Sequence, residues 1–275
     1  MKEIKLEKIP AMADVILKTL QFNLESENAG SEELLNIISK DKGVCTSVLK
    51  MSNSPYFGRA GKVKELKDAI TLLGLKAVKM LIIASSTKDF ATIFGSNEVF
   101  KRYFQTFPLL CAFTTVDIMR PLKITGLPKE QAFILGMFFP IGMTVLALNY
   151  REDYGSVLAQ YEESDNQKSL LELEMNQFLV TNHDVRKKVF VEWNFPTEYF
   201  IKPVEDPEFI ENATDEQIVL TLSTFVSKRM LNIPIVEIEQ MVANLILEKK
   251  GLEPSLLNVF NEEYLELITE IPLFD

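Results

Sequence analysis

Histidine is almost missing from this chain: among 275 residues, His183 is the only one. A cage of several imidazoles around a divalent cation is therefore excluded, and a serine or cysteine nucleophile has at most one imidazole to serve as its base. Glycine is sparse, at 11 residues, and neither GxxxxGK[ST] nor GxGxxG occurs, which excludes the two common phosphate-cradling loops. GxSxG and DxD are absent as well, so no hydrolase elbow or paired-aspartate magnesium site is signalled. The two cysteines, Cys45 and Cys111, lie far apart in apolar helical runs, and the expectation is two small buried side chains in a reducing compartment. Basic charge is also in deficit. With 29 Lys and Arg against 39 Asp and Glu, the net charge of -10 disfavours a phosphate backbone as partner, and no nucleic acid is expected. The short basic clusters Arg186-Lys187-Lys188 and Lys249-Lys250 are read as solvated helix ends. The N-terminal MKEIKLEKIP carries charge throughout instead of an apolar stretch, so it is not a secretory signal, and the cytoplasm is the expected location.

What remains is a chain with 47% hydrophobic and 25% charged residues, near the globular average. Its periodicity is helical, as in Leu66, Ile70 and Leu73 or in Ile235, Ile238, Val242 and Leu245, and strand-like alternation is nearly absent. The pattern predicts an all-α protein with helices at about 11–22, 31–40, 42–52, 65–74, 76–90, 97–119, 129–149, 155–162, 168–179, 183–193, 215–231, 235–249 and 254–267. Ser31 is expected to cap its helix, with Glu32 and Glu33 complementing the positive end. Pro10, Pro128 and Pro254 sit near helix starts, whereas Pro108 and Pro140 fall inside apolar runs and should kink or divide them. Ala91–Asn97 reads as the subdomain joint. From Ala132 to Leu148 there are 17 residues without a charge. Because Gly136, Pro140, Gly142 and Thr144 interrupt this run, it is read as a helix buried on all sides and not as a membrane span.

Two places carry candidate chemistry. His183 precedes Asp184, an arrangement compatible with a metal or proton-transfer site; the preferred reading is that Asn182-His183-Asp184 begins a helix and caps its free amides. The turn Asn53-Ser54-Pro55-Tyr56-Phe57-Gly58 follows an apolar helix. Asn53 and Ser54 can fold back on the backbone, Pro55 fixes its φ, and Gly58 permits a positive φ. Tyr56 and Phe57 either anchor this turn on the core or form part of a partner-binding patch.

The series IPAMADVILKTL, SEELLNIISKDKGVCTSVLKMSNSPYFG and VKELKDAITLLGLKAVKMLII, from Ile9 to about Ile83, resembles the opening of an HDOD domain, the HD-related output domain of bacterial signalling proteins. QAFILGMFFPIGMTVLAL resembles the apolar helix that ends in His-Asp-Ile-Gly in metal-dependent HD-type phosphohydrolases, with Phe139 and Pro140 standing where the His-Asp pair would be. NHDVRKKVFVEWNFP is similar to the family helix that ends in Trp-Gly-Leu-Pro, with Asn194 in place of the glycine. His183 has a family counterpart in that helix. The later His-His segment would fall near Lys202–Pro207 and the final aspartate near Thr224, and neither is matched.

The resemblance implies an HD-like multi-helix bundle over residues 96–275, with an N-terminal helical subdomain over 1–95 packed on it as one unit. It further implies a chain that is not an enzyme and carries no metal or cofactor, a regulatory or scaffolding module that binds other signalling proteins. Two alternatives remain: a sensor of a small molecule or nucleotide in the degenerate pocket and, more distantly, a phosphoester hydrolase.

Overall fold

Proline decides where the central helices break. A proline inside a helix lacks the amide donor and crowds the preceding turn, so the backbone must widen or stop there. Both responses occur in the computed structural model, which describes residues 14–22, 30–57, 63–85, 97–193, 195 and 199–271. Upstream of Pro108 the chain widens into a π-helical turn, Arg102–Thr106, before continuing as an α-helix. At Pro140 it breaks outright, as one helix ends at Phe138 and the next begins at Ile141. The described residues are helices, turns and loops, with no strand among them.

The chain divides into two compact units, one made of Ala11–Lys101 with Glu262–Asp275 and the other including Arg102–Asn261. The expected joint at 91–96, and with it the cut between 95 and 96, lies outside the described residues. The carboxy-terminal segment groups with the N-terminal unit, which a division at a single point in the sequence does not allow for.

The N-terminal unit is built from α1 (Asp14–Gln21), α2 (Ser31–Ile38), α3 (Lys42–Ser52), α4 (Leu66–Leu73) and α5 (Leu75–Ser85). Helix α5 forms its centre and packs on α1, α3 and α4. Leu34, Ile38, Val48, Met51, Leu81 and Ile82 are among its fully buried side chains. Two details of capping differ from expectation. Gly30, not Ser31, is the N-cap of α2, so Ser31 is already helical, while Glu32 and Glu33 do occupy the first turn. The helix expected over 254–267 is a 3-10 turn, Pro254–Val259, followed by the α-helix Glu262–Thr269.

The second unit contains α6 (Phe107–Asp117), α7 (Lys129–Phe138), α8 (Ile141–Asn149), α9 (Arg151–Glu163), α10 (Leu170–Phe178), α11 (Asn182–Glu192), α12 (Asp215–Met230) and α13 (Glu237–Lys249). Helix α6 lies between α7 and α12, and α8 lies against α11. The uncharged run belongs to this interior: the most apolar window of the stretch Lys129–Asn149 has a mean hydropathy of 1.9 and is 83% buried. Two of its glycines let helices meet at backbone distance. A Cβ on Gly136 would stand 2.5 Å from the carbonyl oxygen of Cys111 in α6, and one on Gly142 would stand 1.8 Å from that of Asn182 in α11. Thr115 fastens the first contact, its hydroxyl lying 2.8 Å from the Ala132 carbonyl.

Candidate functional site

Gly142 brings α8 onto the first turn of α11, and the candidate site is built on that turn. Thr181 caps α11: the Asp184 amide donates to its hydroxyl, and the Thr181 amide and hydroxyl donate back to the Asp184 carboxylate at 3.0 and 2.7 Å. Asn182, buried, donates through its backbone and side-chain nitrogens to Glu174 Oε2 at 2.6 and 2.8 Å. The Tyr154 hydroxyl donates to Glu174 Oε1 at 2.5 Å. Glu174 is fully enclosed, and burial pushes its pKa up to about 7 against the opposing pull of these hydrogen bonds. A buried carboxyl thus ties α9, α10 and the start of α11 together.

His183, the next residue, is 6% exposed and does not cap the helix. Its Nδ1 lies 2.9 Å from Glu205 Oε1, in the loop after Ile201. Burial lowers the imidazole pKa, and Arg186 and Lys202 add to this, while Glu205 opposes it. The neutral ring, with Nδ1–H donating to Glu205, is the form this environment favours. The Phe139 ring stands edge-on to the imidazole, with centroids 5.7 Å apart. Over Phe139 lies the Arg186 guanidinium, its Cζ 4.9 Å from the ring centroid. The same guanidinium donates from Nη2 to the Ile201 carbonyl at 3.1 Å and is placed 3.5 Å from the Phe139 carbonyl through Nη1. Arg186 is 4% exposed, and burial lowers its pKa to about 10 against the charge of Glu205. The reading of Arg186 as part of a solvated helix end is therefore wrong: it points inward, and only Lys187 and Lys188 are exposed.

These groups border a cavity of about 250 Å³ within the second unit. Phe139 at the break between α7 and α8, Met143 of α8, His183 of α11, Glu205, and Thr221, Thr224 and Lys228 of α12 all face it, together with Tyr103, Tyr161 and Glu239. Lys228 donates to the Tyr161 hydroxyl at 3.0 Å and pairs with Glu239, while Tyr161 donates to the Pro234 carbonyl at 2.6 Å. Burial alone would lower the Lys228 pKa, but the charges of Glu239 and Tyr161 outweigh it and raise it.

The structure brings Phe139, Pro140 and His183 into one neighbourhood, Pro140 as the N-cap of α8. The turn Asn53–Phe57 belongs to the other unit. There Asn53 reads the backbone of Val63 from both sides, accepting from its amide at 3.0 Å and donating to its carbonyl at 2.8 Å. Ser54 is buried with its hydroxyl unbonded, contrary to the expected fold-back. Pro55–Phe57 form a 3-10 turn covered by the helix Glu262–Thr269, and Tyr56 and Phe57 are half-buried with their rings edge to face at 4.9 Å. Gly58 lies outside the described residues.

Glu205, Arg186 and the Lys228–Tyr161–Glu239 group were missed from sequence. The later ligand positions of the related hydrolases fall near Lys202–Pro207 and Thr224, where the residue types are not matched, and Glu205 and Thr224 do face the cavity. The signal was present, but it concerned position and not residue type.

The second unit is all-helical among its described residues, with a cavity bordered by α6, α8, α9, α10, α11, α12 and α13. The HDOD family profile matches residues 9–205, and the chain belongs to the HDOD domain family. An HDOD domain protein of unknown function from Geobacter sulfurreducens superposes with a TM-score of 0.72 at 14% identity, covering 96% of this chain and 93% of that one. A provisionally named phosphohydrolase from Shewanella amazonensis gives a TM-score of 0.69 at 16% identity, covering 98% and 96%. A provisionally named signal transduction protein from Marinobacter aquaeolei gives 0.64 at 16% identity, covering 96% of this chain and 58% of that one. The comparison with curated proteins finds no match.

The metal of HD hydrolases does not fit the residues present. Phe139 and Pro140 supply no donor, His183 and Glu205 are two ligands at most, and a buried guanidinium sits beside them. Among the described residues no group of three or more His, Cys, Asp and Glu could hold a metal ion.

Proposed function

We propose that this chain is a non-catalytic regulatory module of bacterial signal transduction that acts by binding other signalling proteins. The observation that carries the proposal is the Arg186–Phe139–His183 stack. An aromatic ring stands where the resemblance puts the hydrolases' His-Asp pair, and a buried positive charge lies over that ring, which disfavours a divalent cation there. HDOD membership supports the signalling context.

The test has two arms on the full chain. Metal analysis after purification with manganese, iron or magnesium should find less than one equivalent bound, and phosphomonoesters, phosphodiesters and cyclic dinucleotides should show no metal-stimulated turnover. One equivalent of tightly held metal, or turnover abolished by His183→Ala, would overturn the proposal. Affinity capture should give a reproducible partner; loss of that partner on Tyr56→Ala, with the fold intact, would assign the interface to the aromatic turn.

A second reading is favoured by one observation, the cavity beside His183. On this reading the module binds a small molecule without turning it over, and occupancy sets which partner it engages.

A further inference from the structure

The sensor reading leaves the ligand unspecified, and the cavity's dimensions and polarity narrow it. A protein cavity of about 150 Å³ holds benzene. By the same proportion the 250 Å³ here takes a molecule of about ten non-hydrogen atoms, the size of a fused bicyclic ring and well short of a nucleotide. Its walls are largely apolar, and five aromatic side chains stand among them: Tyr103, Phe107, Phe139, Tyr161 and Phe225. Such walls favour a flat aromatic guest that can stack or meet them edge-on.

The charges facing the space are already spoken for. Lys228 is held by Glu239 and Tyr161, and Glu205 is held by His183, so no free cation is offered to a phosphate. Two carboxylates and one ammonium stand on the lining, and the Arg186 guanidinium lies beside Glu205, so the charges offset one another and favour an uncharged guest. An acceptor remains. His183 spends Nδ1 on Glu205, which leaves Nε2 as the acceptor of the neutral ring. Tyr103, 1% exposed, has a buried hydroxyl beside the Glu162 carboxylate, which holds it without a hydrogen bond of normal geometry.

We propose that the cavity is a binding site for an uncharged, planar aromatic heterocycle of about ten non-hydrogen atoms, donating an N–H to His183 Nε2, and that it rejects nucleotides and other phosphate esters. This rests on the sensor reading and deepens it.

The experiment uses the purified full chain and three probes: benzimidazole, which has a ring N–H and matches the size; indene, which matches the shape without the N–H; and AMP. Calorimetric titration and thermal unfolding should show benzimidazole binding and raising the midpoint, indene binding about tenfold more weakly, and AMP not binding. Labelled Met143, whose side chain faces the cavity, should shift its methyl resonance on adding benzimidazole to the unsubstituted protein. Thr224→Met, which fills part of the space, should abolish binding. The Thr224 hydroxyl bonds only to the Leu220 and Thr221 carbonyls of its own helix, so its loss leaves no distant group unpaired. His183→Phe should weaken benzimidazole about tenfold and leave indene unchanged.

Binding of AMP at least as tight as that of benzimidazole would overturn the inference while leaving a sensor standing. Binding that neither moves the Met143 methyl nor responds to Thr224→Met would overturn the site. Absence of binding by benzimidazole and indene at millimolar concentration would overturn the ligand class. None of these results bears on the metal and turnover arms that test the non-catalytic module.

Discussion

Glu174 sets a pH dependence of stability that can be worked out from its surroundings. The carboxyl is 0% exposed, and burial raises its pKa from 4.5 to about 7 in the folded chain. Between those values the folded state binds a proton that the unfolded state has released. Stability therefore falls as pH rises, in full by about pH 7 and not at all below the unfolded value. The gap between 4.5 and about 7, at about 1.36 kcal/mol per pH unit, amounts to about 3 kcal/mol. Glu174→Gln keeps the shape and removes the titration. Its amide oxygen can still accept from Asn182, while its nitrogen can donate to the Tyr154 oxygen. Other groups titrate in both proteins, so the quantity to follow is the difference in unfolding free energy between wild type and E174Q, from urea curves at intervals between pH 4 and 8. Trp193, the single tryptophan and 8% exposed, reports on the unit that contains Glu174. Wild type should lose about 3 kcal/mol relative to E174Q across this range, most of it between pH 4.5 and 7. A difference that stays flat within about 0.5 kcal/mol, or that grows with pH, would falsify the assignment of a raised pKa to this carboxyl.

Three further outcomes are expected. Gly142→Ala should destabilise the second unit by about 3 kcal/mol or more, since its Cβ would fall 1.8 Å from the Asn182 carbonyl; Gly126→Ala, with nothing within 4 Å, should change stability by less than about 0.5 kcal/mol in the same denaturation assay. Asn53→Ala should cost about 1–3 kcal/mol, because the Val63 amide and carbonyl lose their partners at 3.0 and 2.8 Å, and hydrogen exchange at Val63 should quicken. In the native protein at pH 8, mass spectrometry after iodoacetamide should find Cys45 modified and Cys111 protected, since Cys111 is 0% exposed and its thiol is pushed up to about 12 by burial.

How much of this was legible in the sequence varies from element to element. The break at Pro140 and the disturbance at Pro108 follow from the missing amide donor, a local property that any context must respect. The start of α11 at Asn182 was legible for the same reason, since Thr181 and Asp184 settle it among four consecutive residues. What His183 does there was not legible, because its partner Glu205 is 22 residues away in a loop whose path no periodicity encodes. Arg186 was misread because a run of three basic residues does not show which of them faces inward; α11 turns Arg186 to the interior and Lys187 and Lys188 to solvent. Cys45, expected to be buried, is half-exposed, since it sits at the edge of the apolar stripe of α3. The cavity was foreseen only as an alternative, and its charge balance depends on Lys228 and Glu239, which lie on different helices.

The bare backbone at Gly142 has an evolutionary consequence. Every single substitution there collides with the chain at Asn182, and no side chain at 182 can be trimmed to relieve it, since the obstacle is a main-chain carbonyl. Drift at this position would need a simultaneous change in the route of α11, so one methyl group's width separates this lineage from any descendant in which the imidazole is presented differently.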